Sequence, residues 1–141
     1  MRMWQPNLEC MPLPQRRALQ TQRLRDIVRR VYECVPFYRA RLDAAGLRPD
    51  DIRSLDDLPR IPFTVKDDFR QNYPFGLLAV PRRDVVRLHA SSGTTGRATV
   101  VGYTRADLEI WADVVARFLV MAGVSEDSVC QVAFGYGLFT G

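Results

Sequence analysis

Between Gln15 and Val35 the apolar residues Leu24, Ile27, Val28, Val31 and Val35 return at helical spacing on one face, and Pro36 ends the run. Arg23, Arg25, Arg29 and Arg30 lie off that stripe, with Asp26 and Glu33 spaced to pair with Arg30 and Arg29, so the opposite face reads as solvated. Pro6, Pro12 and Pro14 mark residues 1–14 as an irregular leader. Phe37 to Ala45 predicts a second, shorter helix closed by Gly46 and followed by Pro49. Ser54 with Asp57, and Thr64 with Asp67, each set a hydroxyl three residues before an acid. That capping pattern predicts short helices near Leu55–Pro59 and Val65–Asn72. Tyr73 to Pro81 reads as a turn and an extended piece.

The period changes after residue 84. Val85–Ala90 and Thr99–Tyr103 are rich in strand formers and predict a hairpin. Thr104 with Asp107 then caps a helix from 105 to about 122, stopped by Gly123. Leu108, Trp111, Val115, Phe118 and Ala122 form one stripe on it, and Ile110, Val114 and Met121 carry the apolar surface further round, so cover is expected on more than one side. Val129 to Phe134 reads as a buried strand, which makes strand, helix, strand the start of a right-handed βαβ unit. The expected fold is α/β: a mainly helical region over 1–84, then a hairpin and the opening of an α/β lobe over 85–141, one incomplete domain overall. An uncovered strand edge and apolar helix surface predict self-association, as a homo-oligomer such as a dimer.

Composition narrows the class. With 47% hydrophobic residues the chain of 141 buries one modest core and is not disordered. The formal charge of +4 rests on arginine, Lys66 being the only lysine, and the carboxylates among the arginines of the first helix argue against a nucleic-acid surface. Cys10, Cys34 and Cys130 form no CxxC pair, which argues against a zinc site or disulfide framework and fits a reducing cytoplasm. No apolar run approaches membrane-spanning length.

Chemistry concentrates in Ser91-Ser92-Gly93-Thr94-Thr95-Gly96-Arg97, which joins the two predicted strands. Gly93 and Gly96 permit positive φ and let successive N–H groups turn inward, four hydroxyls add donors, and Arg97 adds charge, so the stretch suits a phosphate. It is not a Walker loop, which needs four residues between its glycines and then lysine and a hydroxyl residue. A ligand-free Ser/Thr/Gly turn suits the same composition, although seven such residues without an apolar anchor make a poor simple hairpin. His89, directly before the loop, is placed either to bond a phosphate oxygen or to serve the strand. Lys66, in a first helical turn beside Asp67 and Asp68, reads as a surface charge. Gly135 to Gly141, past the last predicted strand, holds three glycines and the aromatic side chains of Tyr136 and Phe139, where sheets of this kind bind ligands.

Together, His89 to Gly96, Thr99-Val100-Val101-Gly102-Tyr103-Thr104 and Gly135 to Gly141 resemble phenylacetate–coenzyme A ligases of the adenylate-forming superfamily. Val35-Pro36-Phe37-Tyr38, Ile61-Pro62-Phe63-Thr64 with Lys66, and Asn72-Tyr73-Pro74-Phe75-Gly76 extend the resemblance from about Trp4 to the last residue. It implies the first part of such an enzyme's large N-terminal domain, ATP, Mg2+ and coenzyme A as reactants of the complete enzyme, and an aryl acid as partner. It further implies that Ser91, Ser92, Gly93, Thr94, Thr95, Gly96 and Arg97 hold the ATP phosphates, and that Tyr136, Gly137 and Phe139 border the aryl group. No catalytic residue and no protein metal ligand is assigned within the chain. The usual lysine and proline after the loop are Arg97 and Ala98 here, which keeps charge and loses rigidity. Family ligases run to several hundred residues, so the chain alone is expected to lack turnover. Two alternatives stand beside this reading: adenylation of another aryl acid or a deazaflavin, and a non-catalytic nucleotide- or anion-binding module.

Overall fold

The computed structural model of the protein describes residues 2–91 and 98–133. Pro6–Glu9 forms a single helical turn, α1, and α2 runs from Leu13 to Cys34, so the leader is less irregular and the first long helix begins earlier than expected. Both helices carry proline at their first positions, where the missing N–H has no intrahelical partner to lose. Val35 is extended and fully buried, and Pro36 restarts the chain as α3, Pro36–Ala44. Gly46 ends that helix at φ 67°, a left-handed conformation open to a residue without Cβ.

The core lies where α2 and α3 meet the short 3-10 turns that follow. Val28, Leu42, Leu47 and Ile52 are buried together, with Leu24, Tyr32 and Ile61 packed around them. The apolar stripe of α2 is thus narrower than its periodicity suggested, since Ile27 is half exposed. Asp26 and Glu33 are not the partners of the α2 arginines: Arg29 reaches across to Asp50 at 3.1 Å, and Asp26 accepts from Gln22. Tyr32 donates to Asp43, which also accepts from Arg48 at 2.7 Å, fastening α2, α3 and the following loop at the core's rim.

Ser54 caps the 3-10 segment Leu55–Arg60 with Asp57 at its third position, as the sequence predicts. The next helix is shifted by one residue. α4 spans Lys66–Gln71 with Val65, not Thr64, at its start, because the Asp68 carboxylate accepts the Val65 N–H at 2.8 Å and is held in place by Arg41 at 2.6 Å. Lys66 is exposed at the first position of α4.

β1, Arg87–Ala90, and β2, Val100–Tyr103, form a two-stranded antiparallel sheet with His89 opposite Val101 and Ala90 opposite Val100. Val85 and Val86 precede the strand; Val86 nonetheless donates to the Tyr103 carbonyl at 2.9 Å. One face of the hairpin lies against Leu78 and Val85, close enough that a Cβ on Gly102 would stand 2.9 Å from Leu78 Cδ2. Thr104 caps α5, Arg105–Met121, with Asp107 returning the bond, and Gly123 follows at φ 96°. The leader crosses to this helix: Trp4 donates to Asp113, Arg117 donates to Gln5, and Arg2 pairs with Glu126.

The expected strand at Val129–Phe134 is not formed over its described residues 129–133, where Val129 is 99% and Val132 57% exposed. The βαβ unit is therefore absent among the described residues. A short apolar run becomes a strand only beside a neighbour that takes its N–H and C=O groups, and the two-stranded sheet offers residues 129–133 no such pairing.

Candidate functional site

Ser91, the first residue of the hydroxyl-rich stretch, is bonded twice to Thr99, two residues past its end. Ser91 N–H donates to the Thr99 carbonyl at 3.0 Å, and Thr99 N–H donates to Ser91 Oγ at 2.9 Å. These bonds continue the ladder one step past Ala90 and Val100. Ser91 is the one candidate phosphate residue within the described chain, and its hydroxyl oxygen already accepts a backbone N–H, leaving its proton as the donor for a ligand. Ser92, Gly93, Thr94, Thr95, Gly96 and Arg97 lie outside the described residues, as do Tyr136, Gly137 and Phe139.

His89 stands two residues before the clasp on the face of β1 that α5 covers. Its ring centroid is 5.1 Å from that of Tyr103 and 5.5 Å from that of Trp111, both near edge-on, and the Tyr103 and Trp111 rings are 5.4 Å apart. Aromatic rings at such distances attract edge to face, so this trio locks the loop-bearing strand to α5. His89 Nδ1 is buried without a hydrogen-bond partner among the described residues. The ring contacts tie the imidazole to Tyr103 of β2 and Trp111 of α5. Neither Thr99 as the second half of the clasp nor Trp111 as the neighbour of His89 was named for these roles from the sequence; hairpin register would have found the first, and the α5 stripe the second.

Beyond the hairpin, a cleft of about 230 Å3 separates the helical region from the sheet, with Ile27 and Arg30 of α2 on one wall and Val100 to Gly102 of β2 on the other. Among the described residues no three His, Cys, Asp or Glu side chains converge on a point that would hold a metal ion. No described helix is long and apolar enough to cross a membrane, and the three cysteines are free and exposed.

Solved structures place this arrangement in a class. A 2-hydroxyisobutyryl-CoA ligase in complex with 2-HIB-AMP and CoA, in its thioesterification state, matches with a TM-score of 0.77 at 36% identity over 84% of this chain and 26% of that one. An open conformation of the same ligase matches with a TM-score of 0.76 at 33% identity, over 84% of this chain and 28% of that one. The described fold is that of part of an adenylate-forming CoA ligase.

Curated proteins sharpen the class to one kind of ligase. Phenylacetate-coenzyme A ligase of Thermus thermophilus is 59% identical over 139 residues, 99% of this chain and 31% of that protein. Those of Escherichia coli and Aromatoleum evansii are 54% and 57% identical over 95% and 89% of this chain, and over 31% and 28% of their own lengths. The chain is the counterpart of the N-terminal part of phenylacetate–coenzyme A ligases, and spans less than a third of the curated relatives it matches. No family profile matches it.

Proposed function

We propose that this chain is the triphosphate-gripping part of an ATP-dependent phenylacetate–coenzyme A ligase. The observation that carries the reading is the 59% identity to such a ligase across nearly the whole chain. In the reaction, a carboxylate oxygen of phenylacetate attacks the α-phosphorus of ATP, the bond to the β-phosphate oxygen breaks, and pyrophosphate leaves. The coenzyme A thiol then attacks the acyl carbon of the adenylate, gives up its proton and releases AMP.

The part proposed for this chain is electrostatic. Charge builds on the departing pyrophosphate, and donors fixed in advance lower its energy without reorganising at the moment of reaction. The backbone amides of Gly93 and Gly96 and the hydroxyls of Ser92, Thr94 and Thr95 would donate to the β and γ phosphates. Arg97 would neutralise charge, and the Ser91 clasp would hold the segment's ends. Loss of one such donor costs about 3 kcal/mol in a transition state. Tyr136, Gly137 and Phe139 would border the aryl group, with the reaction in the cytoplasm. The groups this chain would bring to the phosphates are amides, hydroxyls and a guanidinium.

The test is ATP–pyrophosphate exchange with phenylacetate, on the chain by itself and on the chain continued by the sequence that follows the matched part of a relative. Exchange confined to the continued protein supports the reading; exchange in neither, with phosphate still bound to the chain, supports a binding module instead. A second reading, adenylation of a different acid, is favoured by the likeness to 2-hydroxyisobutyryl-CoA ligase. It predicts faster exchange with that acid than with phenylacetate.

A further inference from the structure

On α5, Ile110, Trp111, Val114, Val115, Phe118 and Met121 are each between 40 and 64% exposed. At 100° per residue they occupy one continuous arc of roughly 140°, from Ile110 round to Val115. No residue from Leu108 to Met121 places a charge inside that arc; Asp113 and Arg117, which hold the leader, lie beside it next to Ile110. Helices of soluble proteins bury an apolar stripe of this width. The hairpin beside it has unpaired outer edges: among the described residues β1 and β2 pair only with each other.

A surface made of one apolar helix face and free strand edges fits a partner that brings strands and an apolar cover together. The relatives contain such a mass of polypeptide, since this chain matches only 28–31% of their lengths. We propose that the α5 arc and the hairpin edges are the docking surface for the rest of a phenylacetate–coenzyme A ligase, and that this chain assembles with that remainder when it is supplied as a separate polypeptide. The inference rests on the ligase reading for its choice of partner, but needs no ATP to be bound.

The experiment mixes this chain with a second polypeptide comprising the part of the Escherichia coli relative that follows the matched region. Mass is read by light scattering, and α5 amide exchange by mass spectrometry. The expected result is a one-to-one complex in which α5 amides exchange at least tenfold more slowly. Ile110→Glu and Phe118→Glu should each weaken it at least tenfold, with circular dichroism of the variants alone unchanged. Glu109→Ala, on the helix but off the arc, should leave it intact. A homodimer that excludes the second polypeptide would overturn the proposal, as would absence of any complex or equal binding by all three variants. Assembly without pyrophosphate exchange on any acid would instead count against the ligase reading and leave the docking surface standing.

Discussion

Ser91 and Thr99 bond to each other twice, amide to carbonyl at 3.0 Å and amide to hydroxyl at 2.9 Å, across the mouth of the candidate phosphate segment. Only the second bond depends on a side chain. Ser91→Ala should therefore destabilise the hairpin by about 1 kcal/mol, the net value of one such bond. Ser91→Thr should retain it. Amide exchange at Thr99 is the direct readout: it should accelerate in the alanine variant and stay slow in the threonine variant.

Asp68 ties two elements at once, accepting the Val65 N–H at the start of α4 and the Arg41 guanidinium from α3. Its side chain is 10% exposed against 38% for Arg41, so screening weakens the pair without abolishing it. Asp68→Ala should cost about 2–3 kcal/mol, combining a lost cap with a lost charged hydrogen bond. Arg41→Met should cost less than Asp68→Ala, because the cap survives. Urea denaturation of the two variants decides the order.

Glycine is required at two places for room rather than for backbone freedom. A Cβ on Gly76 would sit 2.9 Å from the Asn72 carbonyl oxygen, a backbone atom that cannot move aside, whereas one on Gly102 would meet the ends of the Leu78 and Val85 side chains. Gly76→Ala should thus cost more than Gly102→Ala, by about 1 kcal/mol or more given typical overpacking penalties. Thermal melts of both variants would show the reverse order if the Leu78 side chain cannot yield.

The Asp57 carboxyl is held at a pKa of about 2, below its ordinary 3.8, by the backbone N–H groups of Arg53 and Ser54 and then by Arg60. Its ionised form is the one the fold prefers. The stability it adds is complete above about pH 4 and drains away as the pH falls through about 2. Between those limits Asp57→Asn should flatten the rise of the denaturation midpoint with pH, and an unchanged slope would refute the assignment.

Helix positions were legible in the sequence because capping is local. Ser54 with Asp57 and Thr104 with Asp107 mark their segments with no help from the rest of the chain. The start of α4 was not, since Asp68 is selected over Asp67 by Arg41, twenty-seven positions away. Residues 129–133 show the same limit more sharply. Their apolar pattern describes a strand that needs neighbours, and pattern alone does not say whether neighbours are there. At the candidate site, the hydroxyl and glycine content of the stretch was readable, while the Ser91–Thr99 clasp and the edge-on contact of His89 with Trp111 depend on register and helix packing.

The leader's hold on α5 has a temporal side. Gln5 and Arg117 are separated by 112 positions and Arg2 and Glu126 by 124, the longest-range polar contacts named in the chain. A ribosome making the protein at about 5–20 residues per second delivers α5 many seconds after the leader. Throughout that interval the Trp4 and Gln5 side chains lack their α5 partners, while the α2–α3 core, complete by Ile61, is free to form. Closure of the leader over α5 is therefore the late step, and slow chain-end docking should appear as a kinetic phase separate from formation of the helical core.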